Sequence, residues 1–170
     1  MDRRKLLRLV NAAVMMALSC VLTLAVQIPT PSKGYLNLGD CAVLLGGWLL
    51  GPVYGPVAGG LGSALADVIL GYPVYAPGTL VIKALTALVA ALLRPRAGER
   101  PRARAALAFG LGELVMVAGY YLYEALLQGF SAALLGVPGN LLQGLVCAIV
   151  AWMVCGPRMR GQNAAIGGKS

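Results

Sequence analysis

Histidine is absent from this 170-residue chain, and charge is scarce, with Asp, Glu, Lys and Arg together making up 12% of it. Without an imidazole, most zinc hydrolases, the Ser/His triad and any intramembrane protease that needs a histidine are excluded. The four cysteines, Cys20, Cys41, Cys147 and Cys155, stand alone in apolar runs with no CxxC pairing. They read as packed thiols, not as metal ligands or disulfides. A GxxxxGK[ST] segment is also missing, and the stretch Gly59, Gly60, Leu61, Gly62 has neither that ending nor GxGxxG spacing, so nucleotide binding is excluded there. No duplicated half with broken helices suggests ion coupling. The chain therefore carries no energy source for pumping, and nothing in it calls for a cofactor.

What the chain does have is 59% apolar residues and a mean hydropathy of +0.78. That is the composition of a membrane protein. At about 20 residues per span it supplies roughly six helices and leaves no room for a soluble catalytic domain. The apolar runs place span one at about Leu6–Ile28, span two at Leu38–Gly51, span three at Val53–Leu70, span four at Thr79–Leu93, span five at Ala105–Leu127 and span six at Val137–Cys155. Pro29 to Gly34 reads as a loop, Gly51 and Pro52 as a very tight turn, and Gly71 to Gly78, with Tyr72 and Tyr75, as an aromatic loop at a membrane interface.

The excess of 14 basic over 6 acidic residues is distributed as a topology signal, not as a nucleic-acid face. Arg3, Arg4, Lys5 and Arg8 precede span one. Arg94, Arg96, Arg100, Arg102 and Arg104 lie between spans four and five, and Arg158, Arg160 and Lys169 follow span six. With six spans all three clusters fall on one side, which puts both termini in the cytoplasm and leaves Lys33 in an outer loop. The expected architecture is thus an all-α, six-helix multi-pass bundle in the cell membrane: one membrane domain over 1–156 and a polar cytoplasmic tail over 157–170.

Ionisable and amide groups inside spans are costly unless paired or facing a cavity. Asp40, Asp67, Lys83, Tyr120, Glu124, Asn140 and Gln143 all fall toward the outer ends of their spans, beneath Tyr72 and Tyr75. Thr79, Lys83 and Thr86 share a helix face, and Glu113, Val117, Tyr120 and Glu124 form one stripe. These groups could simply satisfy one another, for example Lys83 with Asp67 or Glu124. Their concentration at one level on several helices instead describes a pocket for a small, polar, ring-bearing compound. The row Gly51, Gly55, Gly59, Ser63 and Asp67 gives span three a flat face for close helix packing, and Ala13 and Ala17 offer a second small row on span one.

The run GYLNLGD from Gly34 to Asp40, followed by LLGPVYGPVAGGLGSALADVILGYPVYAPGTLVIK up to Lys83, resembles the substrate-binding S components of energy-coupling-factor (ECF) vitamin transporters, in the riboflavin-type branch. The resemblance covers about Leu6 to Cys155. It implies a six-helix bundle that captures a water-soluble vitamin or related heterocyclic precursor from outside, and a binding subunit instead of an enzyme. It also implies partners, namely a transmembrane coupling subunit and two ATPase subunits of an ECF module, with Ala13 and Ala17, in the sequence AVMMA, matching the family's AxxxA contact motif. The ligand would be held by the loop after the first helix and by helices four to six, which maps to Asn37, Lys83, Tyr120, Glu124, Asn140 and Gln143, with Tyr75 above them. Riboflavin, a pyridoxine-like or hydroxymethylpyrimidine-like compound and a deazapurine all suit such a pocket. A solitary secondary carrier or facilitator, and a small membrane enzyme using the buried carboxylates, are the alternatives.

Overall fold

The computed structural model describes residues 2–29, 35–95 and 101–167, with side chains as far as Cys155 in the last element. Its elements are α1 (Arg3–Ala25), β1 (Ile28–Pro29), β2 (Tyr35–Leu36), α2 (Gly39–Ile69), α3 (Ala76–Leu92), α4 (Pro101–Gln128), α5 (Phe130–Ala133) and α6 (Val137–Gly167). Four stretches are long and apolar enough to cross a membrane: α1, α2, α4 and Phe130–Cys155. The helix α3 is apolar but shorter. The protein is an all-helical, multi-pass membrane bundle apart from one two-stranded ribbon.

α2 is not a straight rod. Gly51 adopts φ 85° and ψ −173° inside it, a conformation open essentially to glycine alone, and Pro52 then supplies the fixed φ that suits a new helical start. Beyond this break the chain doubles back. A Cβ placed on Gly55 would lie 2.6 Å from the Gly47 Cα, and one on Gly59 would lie 3.1 Å from a Val43 methyl. In a straight helix, residues eight apart are separated by about 12 Å. The arms 39–50 and 52–69 therefore form an antiparallel hairpin about Gly51, matching the tight turn expected between spans two and three. Arg94 reaches across to donate to the Leu49 carbonyl at 3.3 Å, satisfying an orphan carbonyl at the end of the first arm.

Packing is inverted relative to a water-soluble protein. The interior is dominated by small residues such as Ala42, Ala66, Ala87, Ala90, Ala105 and Ala108, while Leu6, Val10, Val14, Val53, Leu65, Leu114 and Leu145 face outward. Lipid tails are as apolar as leucine, so large side chains gain nothing by turning inward, whereas glycine and alanine let backbones approach. A Cβ on Gly47 would collide with the Ala87 carbonyl, one on Gly60 would lie 2.7 Å from the Leu80 carbonyl, and one on Gly62 would collide with the Met16 carbonyl. The hairpin is thus locked to α3 on one side and α1 on the other. Among its described residues, α1 buries only Ser19, Cys20 and Thr23. Ala13 and Ala17 are exposed.

A large apolar cluster joins Leu44, Trp48, Ala90, Ala105, Ala108, Phe109, Ala151 and Cys155, with the Trp48 and Phe109 rings edge to face at 5.3 Å. It fills the end of the bundle that carries the Gly51 turn and the Arg94, Arg102 and Arg104 side chains. All four cysteines are buried and free.

The structure corrects the sequence reading at several element ends, among them the start of α3 at Ala76, inside the Gly71–Gly78 stretch read as a loop. α1 stops at Ala25, not near Ile28, because Pro29 biases the residue before it toward extended backbone; Ile28 and Pro29 then pair antiparallel with Leu36 and Tyr35. α4 begins at Pro101, earlier than Ala105, since proline is suited to a first helical position. α6 runs through to Gly167 instead of ending at Cys155, as a helix can carry Pro157 at the cost of a backbone hydrogen bond. Lys33, Arg96, Arg100 and Lys169 lie outside the described residues.

Candidate functional site

The polar groups gather at the end of the bundle opposite the arginines. This follows from chain direction: Asn37 and Asp40 open the α2 hairpin and Asp67 closes it, Thr79 and Lys83 start α3, Tyr120 and Glu124 finish α4, and Asn140 and Gln143 start α6. All of these but Asp40, together with Thr23, Tyr35, Ser63 and Tyr75, line one cavity. Its space is about 480 Å³ including the open mouth, and its interior is a narrow slot. All seven residues singled out for substrate binding, Asn37, Tyr75, Lys83, Tyr120, Glu124, Asn140 and Gln143, are in this wall.

Beneath the cavity lies a hydrogen-bonded floor. The Lys83 ammonium donates to Asp40 Oδ1 at 2.5 Å, and both side chains are buried, at 2% and 0% exposure. The sequence reading offered Asp67 or Glu124 as the partner of Lys83. Asp40 takes that place because it sits in the first turn of α2, beside the α3 face that carries Thr79 and Lys83. The Gln143 amide donates to Asp40 Oδ2 at 2.6 Å, and its carbonyl accepts from the Asn37 backbone N–H at 2.7 Å. The Asn37 side-chain oxygen accepts in turn from the Gly39 N–H at 2.9 Å and from the Thr23 hydroxyl at 3.4 Å. Residues from α1, α2, α3 and α6, with Asn37 just after the ribbon, are thereby tied into one network around Asp40. Asp40 was among the membrane-embedded groups noticed in the sequence but not among those assigned to the site, because its anchoring role depends on bonds to residues more than 40 positions away.

The walls above are amphipathic. Thr79 and Tyr120 share a hydroxyl hydrogen bond at 2.9 Å, and the Lys83 ammonium sits 5.1 Å from the Tyr120 ring centre, a cation–π distance. Tyr35 donates its hydroxyl to Asp67 Oδ1. Its ring neighbours Tyr72 at 5.2 Å, Tyr72 neighbours Tyr75 at 6.3 Å, and Tyr75 neighbours Tyr123 at 6.2 Å. Four tyrosines thus make a continuous aromatic rim, steadied by a hydrogen bond from Tyr123 to the Val74 carbonyl at 2.6 Å. Burial, with Glu124 nearby, pushes the Tyr75 phenol up to about 12. Burial and the bond to Asp67 likewise raise Tyr35. Both rim phenols therefore stay neutral donors throughout the physiological range.

Two buried acceptors in the cavity wall, Ser63 Oγ and Asp67 Oδ2, have no hydrogen-bond partner among the described residues. Buried polar atoms without partners are rare in finished structures and mark places where a ligand or water completes the set. Ser63 and Asp67 had been read from the sequence as part of a helix-packing row. Four-residue spacing gave their common face, and only the hairpin shows that its far end opens on the cavity.

The sequence profile of the family described as ECF-type riboflavin transporter, S component, matches residues 4–156 of this chain. The chain belongs to that family. Its members are transporter components and not enzymes. This S component is 40% identical over 131 residues to a Pyrococcus woesei protein described as an uncharacterized protein in a gap 3′ region, an alignment covering 76% of this chain and 86% of that one. It is also 28% identical over 153 residues to the thiamine precursor transporter HmpT of Lactococcus lactis subsp. cremoris, covering 89% of this chain and 87% of the relative. No group of three or more His, Cys, Asp or Glu suited to a metal occurs among the described residues.

Proposed function

We infer that the chain is the substrate-capturing subunit of an ECF-type importer in the plasma membrane. It takes a small aromatic heterocycle with hydrogen-bond donors from the outer side, while a transmembrane coupling subunit and two ATPase subunits supply the energy. The single observation behind this reading is the cavity: Tyr35, Tyr75 and Glu124 stand in its wall, Tyr72 and Tyr123 extend the row of rings beside it, and Ser63 Oγ and Asp67 Oδ2 are without a hydrogen-bond partner among the described residues. Aromatic rims stack planar rings, and unused acceptors call for N–H or O–H groups on the ligand. A one-ring, amino-bearing compound of the aminopyrimidine kind offers the ring and the N–H donors that this wall calls for. The name of the Lactococcus relative, a thiamine precursor transporter, supports the same class.

Six spans, with α2 counted as two, and both termini in the cytoplasm make the cavity face outward under the positive-inside rule. Ala13 and Ala17, exposed on α1, are the small row against which a coupling helix would pack. Mass spectrometry of the small molecule that copurifies with the detergent-solubilised chain, followed by isothermal titration with it, tests the reading. A monocyclic heterocycle bound stoichiometrically supports it. A flavin, or no small molecule at all together with no heat on titrating thiamine precursors, refutes the ligand class.

A further inference from the structure

Positive charge is scarce around the cavity. All basic residues of the chain other than Lys33 and Lys83 belong to the three sequence clusters assigned to the opposite end. Among the described residues of the cavity wall, Lys83 is the only base, against the two acids Asp67 and Glu124. Its charge is already matched. The ammonium is held on Asp40 Oδ1 and against the Tyr120 ring, with Glu113 a further acid near it. Asp67 has a phenol, Tyr35, as its donor, not a cation. Whether or not each acid holds its proton, none of them adds positive charge.

Helix ends do not make up the difference. The starts of α2, α3 and α6 reach this level, but so do the ends of α1, α2 and α4, so positive and negative dipole ends offset one another. Anions at a helix start are held by its free N–H groups. Pro77 and Pro138 each remove one such group from the first turn of α3 and of α6, and α2 carries Asp40 in its own first turn. A phosphate monoester bears about −1.5 to −2 charges at neutral pH. Taking it out of water with no counter-charge costs more than stacking on the tyrosine rim returns. A neutral or cationic ring compound meets no such cost.

We propose that the cavity admits its heterocycle only in a neutral or cationic form and rejects phosphorylated or carboxylated relatives of it, because Asp40 withholds the charge of Lys83 from the ligand. This rests on the heterocycle reading above and adds the charge class to it. The test is isothermal titration of the purified full chain with three compounds of one skeleton: a hydroxymethyl aminopyrimidine, its phosphate monoester, and its uncharged carbamate, which is close to the phosphate in size. The carbamate should bind within about tenfold of the alcohol, and the phosphate at least about 100-fold more weakly than the carbamate. Asp40→Asn frees the Lys83 charge while its side-chain oxygen still accepts from the ammonium, and it should narrow the gap between carbamate and phosphate about tenfold. If that variant does not fold, Asp67→Asn, which removes an acid from the wall, should narrow the gap likewise. Phosphate bound as well as carbamate, carbamate rejected as strongly as phosphate, or a gap that the folded variants leave unchanged would overturn the proposal while the heterocycle reading stands. Binding of none of the three compounds by the parent chain would remove that reading itself, and the proposal with it.

Discussion

Replacing Asp40 with leucine removes the acceptor for both Lys83 and Gln143 and leaves the Lys83 ammonium, 2% exposed, without its ion-pair partner. Breaking a buried ion pair from one side typically costs about 3–5 kcal/mol, a large share of the roughly 5–15 kcal/mol that separates folded from unfolded protein. Lys83→Met should cost a similar amount by stranding the carboxylate, although Gln143 still donates to it. The informative variant is the double one, Asp40→Leu with Lys83→Met, because it removes both charges. It should be destabilised by clearly less than the sum of the singles, with a coupling energy of about 1–3 kcal/mol. Unfolding in detergent can be followed by tryptophan fluorescence, since Trp48 packs on Phe109 at the opposite end of the bundle and reports on the whole fold. Strictly additive single effects would refute the argument that this pair anchors the floor of the cavity.

Truncating Asn140 or Glu124 to alanine should weaken ligand binding by about one to two decades, the effect of leaving one ligand group unpaired in a dry site; titration with the copurified ligand checks it, and parental affinity in folded variants would place binding elsewhere. Leucine at Ala13 or Ala17 should reduce recovery of the chain with its coupling subunit by pull-down while leaving ligand affinity unchanged, because both residues face outward on α1. Gly51→Ala should destabilise the chain by about 1–3 kcal/mol, the cost of forcing a side chain into that backbone conformation, measurable as a lowered unfolding midpoint. In intact cells, an engineered cysteine at position 98 should resist an impermeant thiol reagent and one at position 33 should react; the reverse pattern would invert the topology.

Much of the site was legible because membrane burial makes each polar side chain conspicuous. Lys83, Glu124, Asn140 and Gln143 stand out in apolar runs, and charge asymmetry between loops gave each span a direction and hence each residue a depth. The hairpin was legible too, since Gly51 followed by Pro52 leaves few other conformations. Pairing was not. That Lys83 meets Asp40 instead of Asp67 depends on how two helix starts are set side by side, and periodicity within one helix carries no such information. The same holds for Tyr35 and Tyr123, which join Tyr72 and Tyr75 only once the ribbon and the end of α4 converge on one mouth. The ribbon itself, two residues per strand, is too short to leave a pattern.

The α2 hairpin touches itself, α1 and α3 at points where not even a methyl group fits. Contacts of this kind contain no rotatable bonds, so that side of the cavity has no rotamer by which to widen and behaves as a fixed jaw. Whatever yielding a ligand requires falls to side chains that can rotate: the Tyr35 ring on its two-residue strand, and the tyrosines of the 70–75 turn, which lean on one another. Entry and release are then governed by how these rings swing, and the rate at which ligand exchanges should respond to changes at Tyr35 and Tyr72 far more than to changes along the glycine seam, which sets only whether the jaw exists.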